Sequence, residues 1–72
     1  MVDMIATPDS SNVAAIGYDP LVGQCYVDFK NGSSYCYQGV AEAVWSAFLD
    51  AESKGSFVHA NLKNVYETIR LA

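Results

Sequence analysis

Three groups of side chains in this chain are of types that could do chemistry. Tyr35-Cys36-Tyr37 follows closely on the Asn31-Gly32 pair, and exposed tyrosine rings are surfaces on which bases stack. His59, Lys63 and Arg70 are spaced i, i+4 and i+11 near the C-terminus. On a helix that starts early enough, they would share one polar face. A small phosphate could be held there, helped by the amides of the helix N-terminus near Phe57 to Ala60. The alternative is a solvated face carrying a Lys63–Glu67 pair. Ser10-Ser11-Asn12 is the third group, whose hydroxyls could contact a ligand, with Ser11 the candidate, or cap backbone donors. A Ser11/His59/Asp19 hydrolase can be assembled on paper, but nothing in the spacing marks a nucleophile elbow or an oxyanion loop. With one histidine and no clustered carboxylates, no metal and no cofactor is expected.

The charge narrows the ligand. Eight acids against four basic residues give −4, the wrong sign for duplex DNA or long nucleic acid, whose affinity comes largely from phosphate neutralisation. The balance is uneven. Residues 1–53 hold seven acids and only Lys30, whereas residues 54–72 hold Lys54, Lys63 and Arg70 against Glu67. An anion site is therefore expected in the C-terminal segment. Cys25 and Cys36 form neither a CxxC redox motif nor a zinc set, and read as small apolar residues of a sheet.

Seventy-two residues make one small domain with a marginal core. Half of them are apolar and 17% charged, which argues for a folded globule inclined to self-associate. No stretch approaches the ~18 apolar residues of a membrane span. Asp3, Pro8 and Asp9 stand where a signal peptide would be apolar, so a cytoplasmic protein is expected.

The elements that must position these groups follow from periodicity. Residues 1–9 read as a tail and 10–72 as the domain. Asn12 to Tyr18 reads as a first strand, closed by Asp19-Pro20 and Gly23. Gln24 to Lys30 alternates, with Cys25, Val27 and Phe29 on one face, and Ser33 to Gln38 is the third strand. From about Ala41 to Ser53, Val44, Phe48 and Ala51 recur at helical spacing, and Gly55 stands where a helix C-cap glycine belongs. His59 to Leu71 reads as a second helix, with Val58, Leu62, Val65, Tyr66 and Ile69 as its apolar stripe. The fold class is α+β: a three-stranded antiparallel meander with two helices packed on one face. Trp45 and Phe57 read as core or subunit-interface residues, and Trp45 could anchor a dimer.

The direction of the tyrosines is a question of register, because a one-residue slip turns a strand over. A two-residue type I′ loop at Asn31-Gly32 puts Tyr26, Tyr35 and Tyr37 together on the face away from Val27 and Phe29. A type I turn with Gly32 in a bulge puts Tyr35 and Tyr37 beside Cys25, Val27 and Phe29, leaving Tyr26 and Cys36 outward. The second collects the apolar surface on one side, worth roughly 2 kcal/mol per ring, and is favoured.

The chain from Ser10 to about Tyr66 resembles the KTSC domain, named for its occurrence at the C-terminus of some lysyl-tRNA synthetases and also found as short bacterial and phage proteins. The elements that carry the resemblance are Ser10-Ser11, Ile16-Gly17-Tyr18-Asp19, Val27, Phe29, Gly32, Tyr35-x-Tyr37, Val40, Ala51, Ser53-Lys54-Gly55, Phe57 and Leu62-Lys63 with Tyr66. It departs from the family at Ala41, where Pro is frequent, and at His59, where Asn is usual. The resemblance implies the fold, and RNA binding by association with the synthetase.

Together these readings give a non-enzymatic binding module for a nucleotide or short RNA element. Tyr26, Tyr35, Tyr37, His59, Lys63, Arg70 and Ser11 are the candidate contacts. The alternatives are a protein-interaction or oligomerisation module, and a phage-type homo-oligomer sequestering a small nucleotide signal.

Overall fold

The computed structural model describes residues 2–72. The chain forms β1 (Ile5–Ala6), β2 (Val13–Asp19), β3 (Gln24–Phe29) and β4 (Ser34–Gln38). Helices α1 (Glu42–Asp50) and α2 (Lys54–Phe57) follow, then a π-helical turn (Val58–Leu62) and β5 (Glu67–Arg70). One antiparallel sheet of order β1-β2-β3-β4-β5 holds all five strands.

The α+β class and the antiparallel sheet agree with expectation, and the strand count does not. The two extra strands come from segments read otherwise. Ile5–Ala6 of the expected tail pairs with Ile16 and Ala15. The C-terminal half of the expected second helix is β5, paired with β4 from Gln38↔Glu67 to Tyr35↔Arg70. The helix stops because Lys63 turns extended and Asn64 enters the left-handed region at φ 64°. Beyond it, Thr68 and Ile69 are β-branched, and β4 offers an edge whose N–H and C=O groups need partners.

The hairpin decides the tyrosines. The Gly32 N–H donates to the Phe29 carbonyl at 3.0 Å, the Phe29 N–H donates to Ser33 at 2.8 Å, and Gly32 sits at φ 94°. This is the turn-plus-bulge connection, with glycine supplying the positive φ. Cys25 therefore pairs with Tyr37 and Val27 with Tyr35, and both tyrosines face the helices. Cys36 and Tyr26 take the outer face, where Cys36 is nonetheless buried, flanked in the ladder by Tyr26 and Ile69.

The core lies between the inner sheet face and the helices. Val13, Ile16, Cys25, Val27, Phe48 and Leu62 are fully buried. Phe48 joins the layers: its ring stacks on Phe57 at 5.0 Å and meets Trp45 edge-on at 5.9 Å, while Trp45 stacks on Tyr18 at 5.3 Å. Trp45 and Phe57 are thus packed against the core. The Tyr18 hydroxyl donates to the Val40 carbonyl at 2.5 Å, tying β2 to the approach to α1.

Burial pushes the Cys25 thiol up to about 12, with a smaller contribution from Cys36. The unfolded thiol ionises near 9 and the folded one does not, so the unfolded chain loses its proton first as pH rises. Stability is expected to be flat below pH 9 and to fall by about 1.4 kcal/mol per pH unit toward pH 12 on account of this group. Urea melts across that range check the slope, which should be shallower in Cys25→Ala.

Candidate functional site

The inner face of the sheet leaves a cleft of about 400 Å³ between β4, β5 and the α2–π segment. Its aromatic wall is Phe29, Tyr35 and Tyr37, with the Phe29 and Tyr35 rings edge-to-face at 5.8 Å. The opposing side is polar: Asn12, His59, Lys63, Asn64 and Thr68. No acidic residue lines it, although the chain carries eight.

Each wall has a local cause. Ser53 caps α2, its hydroxyl accepting the Ser56 N–H at 3.2 Å. The turn then widens, so that the Lys63 N–H bonds the Val58 carbonyl at 2.7 Å. That five-residue spacing is the π-helical turn, a distortion frequent at functional sites. Val58 and Leu62 point inward from it, and His59 and Lys63 remain exposed on the cleft. Asn12 is held at the start of β2 by its carbonyl, which accepts the Lys30 N–H at 2.8 Å.

Gly55 is not a C-cap. It is the second residue of α2, and its role is close approach: a methyl there would fall on the Asn12 carboxamide. The glycine lets Asn12 and the second helix share the cleft wall.

Tyr37 is almost wholly buried, and burial, then Tyr35 and Cys25, raises its hydroxyl above the usual tyrosine value. That hydroxyl stays neutral at physiological pH, a donor as well as an acceptor.

Four of the seven expected contacts meet here: Tyr35, Tyr37, His59 and Lys63. Arg70 lies on β5 rather than on a helix with them, because that segment is a strand. Its guanidinium stands 5.9 Å from the Tyr35 ring centre, and its Nε donates to the Ala72 carbonyl. Ser11 lines a neighbouring depression with Lys30 and Asn31, touching the cleft only through the shared Asn12 and Phe29. Tyr26 is on the far side of the sheet, its hydroxyl bonded to Gln24 at 2.7 Å. The amides near Phe57 to Ala60 do not form a helix N-terminus, since α2 begins at Lys54 and the Phe57 N–H already bonds Ser53. Nor is there a helical Lys63–Glu67 spacing, Glu67 being opposite Gln38 in the ladder.

The backbone-capping reading holds for Ser10, whose hydroxyl accepts the Val13 N–H at 3.0 Å. Ser11 and Asp19 lie beyond opposite ends of Val13–Tyr18, on the order of 20 Å apart at strand rise, so the paper triad cannot form. Asn12, Asn64 and Thr68 were not among the expected contacts. The only sequence signal for Asn12 was the pairing of a small polar residue with a helical glycine, legible once both are placed.

The KTSC domain model matches residues 9–66, four-fifths of the chain. The chain belongs to the KTSC domain family. It is similar in fold to the crystal structure of a KTSC domain protein from Yersinia pestis, with a TM-score of 0.91 at 29% identity and all of both chains covered. A protein of Tsukamurella paurometabola is 35% identical over 63 residues, which span 88% of this chain and 94% of that one. The expected KTSC resemblance is thereby established. Among the described residues of this KTSC domain, no helix is long and apolar enough to cross a membrane.

Proposed function

We propose that this KTSC domain is a non-enzymatic binding module whose cleft takes a small anionic ligand bearing a flat ring. A nucleotide is the best fit, or a single unstacked nucleotide of a short RNA. The carrying observation is the charge of the lining: Lys63 and His59 with no acid, in a chain of net charge −4. A cation so placed attracts an anion where the protein as a whole repels it. The partly buried Phe29 and Tyr35 rings, backed by the buried Tyr37, supply apolar surface for a base, and Asn12, Asn64 and Thr68 supply donors and acceptors for its edge or sugar. The size supports the reading, since small-molecule sites begin at roughly 300 Å³.

A compact ligand needs only two or three cations, so a mononucleotide or cyclic dinucleotide suits this surface better than extended RNA. Sequestration of a small nucleotide signal by an oligomer is the variant of this reading that fits a phage setting and a cytoplasmic location.

Thermal unfolding with mononucleotides, cyclic dinucleotides and short RNAs added in turn tests it. A rise in melting temperature is expected with at least one of the first two classes. A flat response to all three overturns the proposal in favour of a protein-interaction module.

A further inference from the structure

We propose that the free edge of β5 pairs with β5 of a second copy about a two-fold axis at Ile69, and that each copy thereby lends Arg70 to its partner's cleft. The ligand half of this rests on the nucleotide reading; the pairing itself does not.

The argument begins with which backbone groups of β5 are already used. Phe29 and Ser33 are hydrogen-bonded across the β3–β4 hairpin, so by alternation Tyr35 and Tyr37 turn their N–H and C=O toward β3, and Ser34, Cys36 and Gln38 turn theirs toward β5. The Leu71 N–H donating to the Ser34 carbonyl at 2.8 Å fits that phase. Opposite Cys36 and Gln38, Ile69 and Glu67 are therefore engaged with β4. Thr68 and Arg70 point their N–H and C=O away from the sheet. All four residues of β5 are exposed, so among the described residues nothing covers that edge. The opposite edge, β1, is only two residues long, a length at which an edge is poorly suited to pairing.

Two-fold symmetry leaves few registers for an antiparallel β5–β5 pair. Centring on Arg70 sets two guanidinium groups directly opposite, and like charges so placed are destabilising. Centring on Thr68 brings in Tyr66, which is outside the strand. Centring on Ile69 lets Thr68 and Arg70 of each copy exchange both their hydrogen bonds, four in all, and places two Ile69 side chains at the close, non-hydrogen-bonded position. Ile69 is 44% exposed in the single chain, so this contact covers apolar surface. The sequence of β5 is thus self-complementary in one register.

That register has a consequence for the site. Thr68 lines the cleft, and directly opposite residues of paired strands project to the same face. Arg70 of the second copy therefore enters beside Thr68, at the mouth of the cleft. The chain's own Arg70 is not among the residues lining its own cleft, being turned over Tyr35 toward Ala72. The dimer adds a cation to each cleft without adding an acid, because Glu67 lies on the outer face.

Sedimentation of the full chain from micromolar to millimolar concentration reads the pairing. A dimer is expected, reduced to monomer by Ile69→Lys with an unchanged circular dichroism spectrum. A wild-type monomer throughout, or an Ile69→Lys protein as dimeric as wild type, overturns the interface. The lent arginine is read by mixing Lys63→Ala and Arg70→Ala chains and measuring AMP binding. Each alone is expected to bind at least tenfold more weakly than wild type. The mixture regains wild-type sites only if Arg70 acts across the dimer, because every cleft lacks one cation if it acts within its own chain. No regain overturns the lending. Absence of AMP binding by wild type overturns the lending too, leaving the nucleotide reading to the thermal-unfolding series and the interface to the sedimentation result.

Discussion

Phe48→Ala is expected to leave the domain largely unfolded at room temperature. The Phe48 ring has no exposure and joins α1 to both α2 and the sheet, stacking on Phe57, meeting Trp45 of its own helix edge-on and packing on the sheet core. Removing a buried phenylalanine costs about 3–5 kcal/mol, part of it for the cavity left behind. Globular domains hold a net stability of roughly 0.05–0.15 kcal/mol per residue, so a chain of this length has little beyond that amount. Aromatic pairing adds to the loss, since Phe57 loses its stacking partner and Trp45 keeps only Tyr18. Urea unfolding followed by circular dichroism measures it. Leu49→Ala, one residue on and partly exposed, is the comparison and should melt close to wild type. A Phe48→Ala protein with a wild-type midpoint would mean that the helices are not held to the sheet through this ring.

Lys63→Glu is expected to lower affinity for a nucleotide by more than tenfold while leaving the melting temperature of the free protein unchanged within a degree or so. The ammonium is exposed and sits on a cleft without a carboxylate, so the substitution reverses the sign of the site rather than merely weakening it. Tenfold corresponds to about 1.4 kcal/mol, a modest demand on swapping attraction for repulsion near a phosphate. The effect should shrink at high salt, as screening shortens the reach of both charges. Isothermal titration at two ionic strengths checks both statements. Equal affinity of the two proteins would place the anion away from Lys63.

Much of the central sheet was legible in the sequence, and for definite reasons. Asn31-Gly32 admitted only two registers, and the apolar inventory of the neighbouring strands chose between them; Cys25↔Tyr37 is the result. The tyrosines were legible because the pleat has period two and a buried face tolerates no slip. β5 was not legible, since Val58, Leu62, Val65, Tyr66 and Ile69 satisfy a helical period while the segment carrying Thr68 and Ile69 is equally strand-like. What decides is tertiary: an unpaired β4 edge and a left-handed Asn64, neither visible in local pattern. β1 was hidden by its two-residue length. For the cleft, residue types were enough to find Tyr35, Tyr37, His59 and Lys63. Arg70 was misplaced because it was counted along a helix that ends before it. Gly55 was misread because a glycine after an amphipathic run is most often a cap, whereas here its missing side chain makes room for Asn12.

The route of the chain between β4 and β5 bears on how the protein is made. β2, β3 and β4 are joined by tight connections and can pair as soon as each leaves the ribosome, but Gln38 must wait for Glu67, across both helices and the π-turn. Closing that long loop costs entropy that only the finished ladder returns. Thr68, a wall of the cleft, is thus installed only after both helices and the π-turn have been synthesised. A chain synthesised only as far as the π-turn has its aromatic floor assembled and its cleft still open on the β5 side, so the cleft is completed later than the sheet that floors it.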